Sequence, residues 1–240
     1  MTDHATVDEL TEPRQRRLLV RMVAGAAALA LGSCIQSARA RGHTDVARAN
    51  HVPAEVTPGE DLMQEHGLIE RVLLVYEEAA RRVELGQPLE IGVLSAAIGI
   101  VRRFVGDYHE RLEERFVFPR LESARREMKL VQVLRSQHER GREVTRALQV
   151  RVERGEVNPE LASLLRGFVR MYRPHAARED TILFPAFREV VGGMAYRELG
   201  EQFEAQEHAE LGRSGFEGML SEVEKLEDAL GIQDLSRFTI

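Results

Sequence analysis

From Thr57 onward, apolar positions recur every three or four residues between charged ones, the period of helices that each bury one face. Thr57-Pro58-Gly59-Glu60 predicts where the first begins: an N-cap, a proline at the first helical position and a glutamate placed for a capping box. Its stripe is Leu62, His66, Ile69, Leu73, Tyr76 and Val83, and Gly86 with Pro88 stops it. A second stripe, Ile98, Val101, Val105, His109, Leu112 and Phe116, reaches Pro119. A third, from about Met128, carries Val131, Leu134, His138, Gly141 and Leu148, and ends at Gly155. Asn158-Pro159 opens a fourth by the same cap-then-proline logic, with Leu164, Phe168, Met171, His175, Glu179 and Ile182 on one face and Gly192-Gly193 as its stop. A fifth, more polar helix is expected over 195–230. No alternating strand pattern competes. The short connections make consecutive helices antiparallel, so the predicted fold is all-α: an up-down-up-down four-helix bundle over 57–230 with an additional C-terminal helix, then a tail over 231–240.

Residues 1–58 break the pattern. A basic stretch, Arg14-Gln15-Arg16-Arg17-Leu18-Leu19-Val20-Arg21, precedes an apolar run from Met22 to Leu31, then Gly32-Ser33-Cys34 and Ala38-Arg39-Ala40. The run is too short for a spanning helix, which needs about 20 residues, but has the length and flanks of a signal-peptide core. Arg16-Arg17-x-Leu19-Val20-Arg21 resembles a twin-arginine export signal. Leu31-Gly32-Ser33-Cys34 resembles a lipobox that would lipidate Cys34 and attach the chain to a membrane, while Ala38-Arg39-Ala40 offers a competing cleavage site. The expectation is an export signal over 1–40, a polar tether over 41–56, and a periplasmic or cell-envelope location; the alternative is a cytoplasmic extension.

Composition narrows the function classes. With 33 basic against 39 acidic residues, net −6, no clustered basic face suggests a nucleic-acid partner. A single cysteine leaves no internal disulfide framework and no cysteine-rich metal site.

The chemistry lies in a phrase written twice. HERLEERFVFP at 109–119 and HAAREDTILFP at 175–185 both fit His-x-x-x-Glu-acid-x-x-x-Phe-Pro, 66 positions apart; His66 and His138 precede them, 72 apart. His and Glu at i and i+4 lie on nearly one helix face, about 6 Å apart. Imidazole suits iron, zinc, copper and nickel, and carboxylates bridge cations. One histidine from each of four helices and one glutamate from each of two, namely His66, His109, Glu113, His138, His175 and Glu179, can therefore surround two metal ions. Each ion would have two imidazoles and a share of both carboxylates. An oxygen bridge would make five ligands per ion and leave one position open.

Neighbouring residues read differently. His66-x-x-x-Glu70 lacks the acid-x-x-x-Phe-Pro continuation, so Glu70 reads as solvated surface. Asp180 competes with Glu179, but the repeat aligns Glu179 with Glu113. His208, with Glu204 and Glu207, lies on the polar fifth helix and reads as surface. Phe118-Pro119 and Phe184-Pro185 suggest apolar packing and a helix end or kink. Gly141 suggests close helix packing or room for a ligand. Tyr108, Tyr172 and Pro174 flank the ligands. A ferritin-like oxidase would need Glu-x-x-His, yet Met63, Gly106, Arg135, Tyr172 and Ala205 stand three before His66, His109, His138, His175 and His208.

On these residues the chain resembles the hemerythrin-like, or HHE cation-binding, family over about residues 60–190. The resemblance implies a non-haem di-iron centre in a four-helix bundle, His66 and His109 on one iron, His138 and His175 on the other, Glu113 and Glu179 bridging. Oxygen carriers of that family have a further histidine four residues after the third-helix ligand, where this chain has Arg142; the four-histidine pattern is shared by the family's iron–sulfur repair proteins. The expected function is a di-iron protein that binds or reacts with O2, NO or peroxide; iron handling without turnover and a structural metal are the alternatives. The sequence names no redox partner.

Overall fold

The structure, a computed structural model, describes residues 56–240; the expected export signal, Cys34, and the tether up to residue 55 lie outside the described residues. The described part contains six helices and no strand. Helix α1 is Pro58–Glu84 and α2 occupies 91–123; α3 is Met128–Glu153 and α4 occupies 159–191. Two shorter helices follow, α5 (Gly193–Leu211) and α6 (Gly215–Leu230), and a 3₁₀ turn, Leu235–Phe238. Helices α1 to α4 form the closed bundle, each packed on its neighbours in chain order and α4 packed back on α1. The single helix expected over 195–230 is divided at Gly212, whose φ of 77 belongs to the left-handed region where glycine alone is unstrained. Helix α6 packs on α1 and α2, and α5 on α1, α2 and α6. Among the described residues no helix is long and apolar enough to cross a membrane.

The predicted start signals form. Thr57 Oγ1 accepts the Glu60 N–H, and Glu60 accepts the Thr57 N–H at 2.9 Å, a reciprocal cap worth about 0.5–2 kcal/mol. Asn158 Oδ1 accepts the Leu161 N–H at 3.1 Å. Arg173 pairs with Glu70 and Glu77, linking α4 to α1, and Arg82 donates to the last carbonyl of α6, Leu230, at 2.7 Å.

Helices α2 and α4 are not regular. Three stretches are π-helical: Val101–His109 and Glu113–Val117 in α2, and Glu179–Leu183 in α4. The Phe118 N–H bonds to the Glu113 carbonyl, and the Phe184 N–H to the Glu179 carbonyl, five residues back in each case. Proline follows each phenylalanine. Having no N–H, it cannot continue the i→i−4 ladder, and its ring crowds the preceding turn. The two Phe-Pro pairs thus widen their helices without ending them, since α-helix resumes over Phe118–Ser123 and Phe184–Val191. The extra residue per wide turn shifts the helix phase: Ile182, expected on the inner stripe, is exposed, and Leu183 is buried in its place.

Candidate metal centre

The six sequence-derived residues are brought together in the bundle core. His109, Glu113, His138 and Glu179 have no exposed surface, and His66 and His175 are buried. They form two overlapping groups, His66, His109, Glu113, Glu179 and Glu113, His138, His175, Glu179. Both carboxylates belong to both groups.

The imidazoles face each other in pairs, with 3.1 Å between Nε2 of His66 and of His109 and 3.2 Å between those of His138 and His175. Glu179 lies between the pairs, one oxygen 3.4 Å from His66 Nε2 and the other 3.0 Å from His175 Nε2. Glu113 reaches His138 Nε2 at 3.3 Å and His109 Nε2 at 3.9 Å. All four oxygens of these two carboxylates are buried without a hydrogen-bond partner. Buried carboxylate oxygens are costly unless hydrogen-bonded or coordinated to a cation, so the donor set fits a metal site.

The outer nitrogens fix the orientation. His66 Nδ1 lies 2.6 Å from Asp180 Oδ1, His109 Nδ1 2.7 Å from Glu65 Oε2, His138 Nδ1 3.2 Å from Glu114 Oε1, and His175 Nδ1 2.8 Å from Gln137 Oε1. Carboxylate and amide oxygens accept here, so each Nδ1 donates its hydrogen outward and Nε2 is left as the inward nitrogen, the one that can bind a metal once it carries no proton. Phe118 stacks on His138 and Phe184 on His66, with ring centroids 5.4 Å and 5.6 Å apart.

With protons alone balancing the buried charge, the two halves titrate differently. Burial opposes a charge on His66, but the Asp180 and Glu179 carboxylates overcome it and raise its pKa to about 9. Burial lowers His138 to about 4 and holds His109 well below its ordinary value. Glu113 is raised by burial and then by the Glu179 charge; burial also opposes ionisation of Glu179, but His175 and His66 outweigh it and lower its pKa. Burial and the neighbouring carboxylates thus disfavour charge on Glu113 and favour it on His66, the imbalance a bound cation would relieve.

Other sequence readings find definite places. Glu70 lies outside the centre, paired with Arg173, and His208 is exposed. Asp180 holds the outer nitrogen of His66, while Glu179 faces inward. Tyr108 donates to Glu65 at 2.8 Å, the Tyr172 ring lies 5.1 Å from that of His175, and Pro174 is exposed. Arg142 reaches Glu110 at 2.7 Å and Glu114 at 2.9 Å. A methyl group on Gly141 would meet only ordinary contacts, Glu110, Met171 and Phe168 at 3.6 Å each. Beside it, between α2 and α3, is a cavity of about 150 Å³ lined in part by Gly106, Glu110, Gly141, Arg142 and Phe168.

Sequence reasoning missed Glu65, Glu114 and Gln137 as imidazole partners, Phe118 and Phe184 as their stacking surfaces, and the burial of Glu207. Most of these had a signal. Asp180 and Glu114 are the acids that follow the repeated glutamates, 66 apart, and Glu65 and Gln137 precede the first histidine of each half, 72 apart. Glu207 had one as well: it follows Tyr196, Leu199 and Phe203 at helical spacing on the buried face of α5, and packing places its carboxylate close to those of Asp61 and Glu65.

The profile of the hemerythrin HHE cation binding domain matches residues 57–187. An uncharacterized protein of Mycobacterium tuberculosis and one of Mycobacterium bovis are each 39% identical over 248 residues, covering 99% of this chain and 96% of the relative. No solved structure matches the chain.

Proposed function

We propose, from the premise that this chain belongs to the hemerythrin HHE cation-binding domain family, that its bundle holds two iron ions and that the pair binds or reacts with a small ligand, O2, NO or peroxide. The observation that carries this reading is the pair of four-residue groups sharing both carboxylates. His66 and His109 would hold one ion, His138 and His175 the other, and Glu113 and Glu179 both. When bound, iron supplies one-electron chemistry and open coordination positions for a small molecule.

The chain's own residues supply orientation and seclusion. Asp180, Glu65, Glu114 and Gln137 keep the four Nε2 atoms aimed inward. Phe118 and Phe184 cover two of the rings and keep water from them. Arg142 stands where oxygen carriers place a fifth histidine. Its guanidinium is held by Glu110 and Glu114, so it adds no donor to the centre. A centre with one imidazole fewer is less constrained, which favours reaction over a long-lived reversible adduct.

The test is anaerobic loading with ferrous iron followed by rapid mixing with each ligand. Two irons per chain and reaction with at least one ligand are expected. Glu113→Ala or Glu179→Ala should impair both ions, whereas Glu70→Ala and His208→Ala leave the metal content unchanged. One zinc and no iron after expression in iron-replete cells would overturn the iron assignment. An adduct released intact under vacuum would point to reversible carriage. Transfer of iron to a chelator within minutes, without reaction, would point to iron handling.

A further inference from the structure

The two halves of the centre follow the internal repeat closely enough that each departure is visible. His66 corresponds to His138, His109 to His175, and Glu113 to Glu179; among the outer partners Asp180 corresponds to Glu114 and Glu65 to Gln137. The first pair of outer partners conserves a carboxylate and the second does not. Around His66 and His109 both outer acceptors are carboxylates, Asp180 and Glu65. Around His138 and His175 one acceptor is the neutral Gln137 amide, and the other, Glu114, shares its carboxylate with the Arg142 guanidinium at 2.9 Å. Acid extends outward on both sides: Glu65 lies within reach of the buried Asp61 and Glu207 carboxylates, whereas buried Glu110, beside Glu114 and His138, is held by the Arg142 cation.

An outer carboxylate makes an imidazole a stronger donor, because the Nδ1 hydrogen is drawn toward the anion and electron density moves to Nε2; an amide does this less, and a guanidinium opposes it. We infer that the two cation positions are built unequal: the His66–His109 position, backed by Asp180 and Glu65, fills first and binds the more tightly, and the Glu65/Gln137 difference is its main determinant. The inference rests on the two-ion reading above. It makes Glu65 a positioning residue that acts through His109, and it assigns the second, weaker position to the side of the centre next to Arg142.

The test titrates metal-free full-length protein with Co2+ alone, read by calorimetry and by the paramagnetically shifted Nδ1–H resonances of the histidines. Wild type should bind two ions in steps separated by about tenfold or more. The first equivalent should shift the His66 and His109 resonances. Glu65→Gln should bring the two steps together, and the exchange Glu65→Gln with Gln137→Glu should reverse their order, so that His138 and His175 shift first. All variants are checked for unchanged helix content, and the exchange keeps the composition of the core, so its reversal separates the electronic effect from damaged folding. Two equal steps in wild type, or an order that the exchange leaves unchanged, overturn the inference and leave the two-ion reading intact. A single ion in wild type and every variant overturns the two-ion reading and this inference with it.

Discussion

Each imidazole of the centre uses one nitrogen to hold its place and the other to face inward, and the buried acids decide how protons compete for the inward one. His66 shows this most clearly. Its pKa of about 9 lies above the ordinary 6.5 because the Asp180 and Glu179 carboxylates outweigh the burial that opposes its charge. In metal-free protein a raised pKa stabilises the fold fully below pH 6.5, and that contribution fades as pH rises toward 9. Metal binding runs the other way, since the proton must leave Nε2 before the nitrogen can donate. Apparent affinity should therefore climb with pH through neutrality and level off above about 9, while the urea midpoint of the metal-free protein declines over the same range. Asp180→Asn should move both breaks to lower pH. Affinity that is flat between pH 6.5 and 9 would show that His66 carries no such proton.

At the scale of elements, the bundle is made of ordinary helix signals interrupted where the ligands sit. Capping at Thr57 and Asn158 starts two helices, but the Phe-Pro pairs widen two others immediately after Glu113 and Glu179, so that phenylalanines five residues on can lie against imidazoles of the facing helices. The α1–α5 contact is a close one: the Gly59 N–H donates to Tyr196 Oη at 2.9 Å, and a Cβ at Gly59 would stand 2.5 Å from that oxygen. Gly59→Ala should destabilise the fold by about 1–3 kcal/mol through overpacking, measured by urea unfolding. Adding Tyr196→Phe removes the oxygen, so the double variant should be more stable than the sum of the two single effects predicts. Strict additivity would mean that the close approach is relieved elsewhere.

At the scale of the whole molecule, a pseudo-twofold repeat supplies two similar half-sites, and α5 and α6, which have no place in that repeat, pack on α1 and α2. Acid from α5, Glu207, thereby reaches only one half of the centre. The export expectation belongs to this scale as well. If Arg16-Arg17 is a twin-arginine signal, which exports folded protein, changing both to lysine should retain metal-loaded protein in the cytoplasm of its native host, read by fractionation. A mature chain beginning at Cys34 would mark lipidation, and one beginning at Arg41 cleavage after Ala40. Unprocessed soluble protein beginning near Met1 would rule out both.

The bundle and the six residues at its centre were legible in the sequence because both are periodic. A helix repeats every 3.6 residues, so a stripe of leucines, valines and histidines declares its inner face, and an internal repeat of the His-x-x-x-Glu phrase declares which polar residues share it. What periodicity does not encode is where a helix departs from its own period, and what arrives from a distant element. The wide turns exchanged Ile182 for Leu183 in the core, and Gly212 split a helix whose polarity gave no sign of a break. The contacts of His109 with Glu65, of His138 with Glu114 and of His175 with Gln137 join residues 24 to 44 positions apart, on different helices. Their chemistry depends on the direction each side chain takes across the core, which packing decides. The kind of centre is thus written locally, one helix face at a time, whereas the charge on either side of it is set only when the faces meet.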